Sequence, residues 1–271
     1  MYPSSNLSST TPSTSGAARS VPLPRDSRTI QHDIRTQAGQ AYGTLDSVSG
    51  DITVAARARV RSVSTISGDV TLGGESLVGP VDTVSGDVRV TGQAIAASVE
   101  TVSGDITLGM QAKVEGRVKS TSGDISAEHG CSISSDVETV SGRIALHGTT
   151  VDGDIHFVCA DVTVDEGSHV RGKLHLHRPV NGMHGVPRVV IGADSRIEGE
   201  MVFEVPVSLF VHASAQTGPI SGATRTVFCT PQPPQPAQSA QPESWVRHGT
   251  YVSSSMCTII QQGNQVTILR R

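Results

Sequence analysis

The sequence predicts an all-β chain wound as a parallel β-solenoid, and three observations predict it. Ser-Gly-Asp begins at Ser49, Ser67, Ser85, Ser103 and Ser122, a near-constant interval whose last step is one position longer. Ser141-Gly142-Arg143 extends the series by the same longer step with the acid replaced. Apolar residues recur in the same phase, so every repeat places like side chains at like positions. The composition agrees: 28 glycines for bends, 36% hydrophobic residues for a core, and only 3% aromatics, which suits a narrow interior. A unit this short cannot close a core alone, whereas stacked copies bury a continuous one.

The chain opens on a Ser/Thr/Pro-rich tail, expected over residues 1–38, whose composition cannot bury enough apolar surface to offset the entropy of ordering. The solenoid is expected over residues 39–229, in about ten turns. Ile52, Val70, Val88, Ile106, Ile125 and Ile144 follow the triplet, and Val54, Leu72, Val90, Leu108, Ala127 and Leu146 come two positions later. This alternation has the period of a half-buried strand, and no helical spacing survives. Val63, Val81, Val99, Val118 and Val137 make a third apolar column upstream. Ser47, Thr65, Thr83, Thr101, Ser120 and Thr139 make a column of hydroxyls, expected to ladder with one another. Gly50, Gly68, Gly86, Gly104, Gly123 and Gly142 mark a tight bend. Val99 and Val102, three apart, cannot both point inward by simple alternation.

After the triplet decays the phase continues through Asp161, Val162 and Val164. An insertion of nine residues around 178–187 then separates Val170-Arg-Gly-Lys-Leu174 from Ile197-Glu-Gly-Glu-Met201. Residues 230–242 read as a proline/glutamine linker, and 243–271 as a short segment with a hairpin turning near Gly263-Asn264.

The Asp column (Asp51, Asp69, Asp87, Asp105, Asp124) carries the most suggestive chemistry. Like charges about 4.8 Å apart repel by roughly 1 kcal/mol in water, so something must offset them. Turn amides or hydroxyls are one answer. Bound calcium, as in nonapeptide rolls, is the other, although the glycine-rich nonapeptide pattern is absent and Arg143 stands in the column. His156 and His175 occupy equivalent places in neighbouring turns with His177 and His184 nearby, a set that could bind a transition metal or stand as exposed strand residues. Asp152 and Asp154 could form a glycosidase pair, but no aromatic platform accompanies them, and a turn is the simpler role. Cys131 and Cys159 read as small buried or loop thiols, and the four cysteines form no close-spaced set. A formal net charge of -4 argues against a nucleic-acid partner. No apolar run reaches the roughly 18 residues of a membrane span, and no charged-then-apolar leader is present.

The Ser103-Gly-Asp-Ile-Thr-Leu108 unit resembles bacterial adhesin-type repeat domains over residues 41–146. The later Ser168-His-Val-Arg-Gly-Lys-Leu174 and Ser195-Arg-Ile-Glu-Gly-Glu-Met201 segments resemble bactofilins, polymer-forming solenoids with proline-rich tails. These resemblances imply a structural or adhesive role without catalysis, cofactor or metal. The expected function is therefore a non-enzymatic scaffold, adhesin-like or polymer-forming, whose partner is itself end to end, another protein or a cell-surface component. Apolar edge residues Val48, Val207, Leu209 and Phe210 are expected to carry self-association. The tail is also similar to type III export signals, which offers a secreted effector as the alternative, and leaves the compartment open between cytoplasm and a non-classical export route.

Overall fold

The computed structural model describes residues 25–180 and 185–229, together with the backbone of 257–262 and 265–270. The chain is a parallel β-solenoid of about eleven coils, and no helix occurs among the described residues. Each coil has three straight runs and three corners. In the fourth coil these runs are represented by Leu77–Thr83, which bends in its middle, and Val88–Val90. Successive coils pair in register: Val63 lies against Val81, Val81 against Val99, Val99 against Val118, and Val118 against Val137. Ile52, Val70, Val88, Ile106, Ile125 and Ile144 stack in the same way on the next face. All of these side chains are fully buried, so the periodic columns of the sequence are the core.

The first coil starts earlier than the expected boundary at residue 39. Arg25–Thr29 pairs in parallel with Ala41–Ser47, and Ile34–Arg35 pairs with Ile52–Val54. Ile34 is buried in the column of Ile52, and that apolar position draws the preceding segment into the stack. Residues 1–24 of the expected tail, and the linker expected at 230–242, lie outside the described residues. The nine-residue insertion is real in register, because Val162 pairs with Val189, 27 positions on. At the far end, Cys257–Gln262 and Gln265–Arg270 form an antiparallel hairpin. The first of these strands lies against Arg225–Phe228, with Val227 opposite Ile259.

Alternation resolves the two valines. Val99 and Thr101 point inward, while Val102 is 47% exposed. The interior position before the corner belongs to the hydroxyl column, and those hydroxyls do not ladder with one another as expected. Several bond to corner backbone instead: Ser47 Oγ accepts the Gly50 N–H at 2.9 Å, and Thr101 Oγ1 and Ser120 Oγ donate to the carbonyls of Gly86 and Gly104, whereas the Thr65 and Thr83 hydroxyls are buried with no partner among the described residues. At another corner one residue per coil takes a left-handed conformation, as at Arg57, Glu75, Gln93 and Gln111. Beneath it runs a buried column of small side chains: Ala58, Ser76, Ala94, Ala112, Cys131, Thr149, Ser168 and Ser195.

Candidate functional site

The Ser-Gly-Asp corner is built from two stacked devices. A Cβ on Gly68, Gly86, Gly104 or Gly123 would lie 2.0–2.2 Å from the carbonyl oxygen of the glycine one coil before, so only glycine lets the corners stack this closely. The Asp residues then supply acceptors at the bend. Oδ1 of Asp51 accepts the Asp69 N–H at 3.0 Å, and Asp69, Asp87 and Asp105 serve Asp87, Asp105 and Asp124 at 2.8–2.9 Å. Asp124 ends the run on the Arg143 N–H, which explains how an arginine can occupy that column: it contributes an amide and needs no carboxylate. Asp33, which the triplet search missed because His32 replaces the glycine, starts the run by accepting from Asp51. The five expected carboxylates are thus engaged by turn amides, one oxygen each.

Beside this corner the structure exposes a file of aliphatic side chains. Ile30, Val48, Ile66, Val84 and Val102 project outward on consecutive coils, each 39–70% exposed. Thr121 interrupts the file, and Val140 and Val158 continue it. Their order follows from the register of the preceding residues, Thr29, Ser47, Thr65, Thr83, Thr101, Ser120, Thr139 and Phe157. Charged residues flank the file on the same face, among them the Arg28–Asp46, Arg117–Glu100 and Lys119–Glu138 pairs at 2.7–2.8 Å. The signal is readable in the sequence, since an aliphatic residue precedes nearly every triplet serine, but only Val48 stood out as exposed.

The edge residues expected near the other end require correction. Leu209 is 2% exposed and belongs to the core column, paired with Val189 on one side and Arg225 on the other. Phe210 faces outward under the Arg188 guanidinium, 5.1 Å from its ring centroid, and Val207 is partly buried against the core. The strand Ser208–His212 is covered on both sides by neighbouring coils, so neither Leu209 nor Phe210 lies on an open edge.

The aliphatic file leads into a histidine cluster. His177 and Glu204 occupy the next two places after Val158, while His175 pairs with His156 on the adjacent column. His156 Nδ1 and His177 Nε2 are 3.1 Å apart, and the His175 and His177 ring centroids are 3.8 Å apart. One ring nitrogen from each of the three lies within 4.8 Å of those of the other two. Glu204 Oε1 sits 2.9 Å from His175 Nε2 and 3.7 Å from His177 Nδ1. Burial, then the neighbouring imidazoles of His175 and His156, push His177 below the usual histidine range. Glu204 is held low, first by the Arg178 N–H and then by His175. His184 lies outside the described residues.

The remaining candidates resolve into structural roles. Asp154 accepts the Lys173 N–H at 2.7 Å, and Asp152 is paired with Arg171, so the two carboxylates do not face one another across an open site. A cleft of about 540 Å³ lies over the outer side of a later face, between Arg143, His147, Asp165, Arg188 and His212. Its His147 Nδ1 and Asp165 Oδ1 lie 2.6 Å apart. Cys131 is buried in the small-residue column, and Cys159 is exposed in the column of Ser141.

The comparisons fit a repeat β-domain. Neither the curated proteins nor the solved structures contain a match to this chain. Residues 26–129 are similar to the Toastrack DUF4097 family model, and that match begins at the first coil.

Proposed function

We propose that this chain is a non-catalytic scaffold that associates with a second copy of itself, side to side, through the exposed aliphatic file. The observation that carries this reading is the file itself: one outward Ile or Val on each of the first five described coils. Single exposed aliphatics need no explanation, but a contiguous stripe rimmed by charge marks an interaction surface. The spacing selects the occupant. Side chains that repeat every strand rise, about 4.8 Å, find a matching row only on another stack of β-strands. A second copy has that row. Side pairing also suits the C-terminal end, where the hairpin already occupies the edge of the last coil. Polymer-forming and adhesin-like roles follow from such pairing, because paired rods offer long surfaces for further contacts.

The test is the oligomeric state of the full chain by sedimentation velocity, beside the double variant Val84→Asp/Val102→Asp. The wild type should form dimers or larger species with rising concentration, and the variant should remain a folded monomer. A wild type that stays monomeric at high concentration, or a variant that still associates, would overturn the reading.

A further inference from the structure

We propose that His156, His175 and His177 form a binding site for one divalent transition metal of the zinc–nickel–cobalt class. The inference is independent of self-association, since all three imidazoles come from one chain. Three features carry it. The coil geometry converges three imidazoles that are 2 to 21 positions apart in sequence, because His156 and His175 are stacked and His177 occupies the next outward place. Their nitrogens lie within 4.8 Å of one another, close enough for small side-chain rotations to bring all three onto one ion. The tetrahedral zinc geometry, with bonds of about 2.0–2.1 Å, requires donor atoms somewhat over 3 Å apart, near the 3.1 Å between His156 Nδ1 and His177 Nε2.

The outer partner is also in place. Glu204 engages His175 through Nε2 and approaches His177 through Nδ1, so His175 Nδ1 and His177 Nε2 are the nitrogens it leaves unengaged, and His177 Nε2 already faces His156 Nδ1. A carboxylate behind a ligating histidine fixes its tautomer and raises its basicity. The donor set decides the class of ion. Neutral imidazoles suit zinc, nickel, cobalt and copper, whereas calcium and magnesium need an oxygen cage. The three imidazoles together leave a fourth position for water or an outside ligand. The site opens beside a hollow of about 290 Å³ between Val140, Val158, His156 and His177, so an ion can reach it from solvent.

The experiment uses the full chain without an affinity tag, titrated with zinc by calorimetry and with cobalt by visible absorption. One equivalent of zinc should bind, cobalt should show the bands of a four-coordinate nitrogen site, and zinc should raise the melting temperature until a chelator is added. His175→Ala and His177→Ala should each weaken zinc by about 100-fold or more, since outer-shell changes alone cost about 10–100-fold. Glu204→Gln should weaken it by about tenfold. The half-exposed positions allow these variants to fold, which circular dichroism checks. Absence of stoichiometric binding would overturn the proposal. So would binding that survives the His175→Ala/His177→Ala double variant, or binding removed by His147→Ala at the His147, Asp165 and Glu166 group instead.

Discussion

Asp87 Oδ1 accepts the backbone N–H of Asp105 at 2.9 Å, and Asp87's own N–H donates to Asp69 Oδ1 in the same way. Each aspartate therefore donates through its amide to the coil before and accepts through its carboxylate from the coil after. The stack of carboxylates persists because every bend leaves an amide that needs an acceptor. The same device recurs at another corner, where Asp136 serves Asp154 and Asp154 serves Lys173.

This arrangement separates the acceptor from the charge. Asp87→Ala removes the acceptor for Asp105 and should cost about 1 kcal/mol, the net value of a typical hydrogen bond. Asp87→Asn keeps an oxygen acceptor and removes two like-charge contacts, so it should be neutral or stabilising. Urea midpoints of the two variants check this, and an Asn variant as damaging as the Ala variant would show that the charge itself matters.

Close stacking at the glycine corner is equally testable. A Cβ on Gly104 would meet the Gly86 carbonyl oxygen at 2.0 Å and its carbon at 2.6 Å, backbone atoms that cannot swing aside as a flexible side chain could. Gly104→Ala should destabilise by about 2–3 kcal/mol, the upper range for single substitutions. Gly92→Ala is the control, because its Cβ would lie 3.3 Å from the Met110 carbonyl and needs only a slight adjustment. It should change stability by less than about 1 kcal/mol. Equal losses at both positions would remove the close-approach explanation.

The core of the fold was legible because strict recurrence at a near-constant interval brings identical side chains into register, as for Val63, Val81 and Val99. The first coil was not, because His32-Asp33 carries only the carboxylate of the triplet and sits in a serine- and arginine-rich context. The histidine pair was visible because His156 and His175 keep the repeat's phase, but Glu204 was hidden by the insertion, which moves it 27 positions past His177. The corner glycine also changes place: Gly153, Gly172, Gly199 and Gly218 stack at a second corner after the Ser-Gly-Asp series ends. Leu209 was misplaced because the last coils depart from the regular interval, so its steps back to Val189 and forward to Arg225 differ in length.

That correction carries its own prediction. Leu209→Ala should cost about 2–5 kcal/mol, as for other buried leucines, and Leu209→Asp should unfold the final coils because a carboxylate cannot be solvated there. Val84→Asp, at a position 44% exposed, should alter stability by no more than about 0.5 kcal/mol. Far-ultraviolet circular dichroism with thermal melts separates the two cases. A stable, fully folded Leu209→Asp protein would place that residue outside the core.

The cysteines test the corner column independently of any stability measurement. Cys131 is buried beneath a left-handed turn, with Sγ 3.1 Å from the Gly109 carbonyl oxygen, and burial raises its pKa above the usual thiol value. The thiolate is the reactive form, so a raised pKa and an inaccessible sulfur both slow attack on a disulfide reagent. Cys159 is exposed on the outer face, one coil beyond Ser141. In variants that keep one cysteine each, Cys159 should react on mixing, whereas Cys131 should react only as its coil opens, and faster in sub-denaturing urea. If Cys131 reacted natively as fast as Cys159, the small-residue column would not be the sealed corner that Ala94, Ala112 and Thr149 define around it.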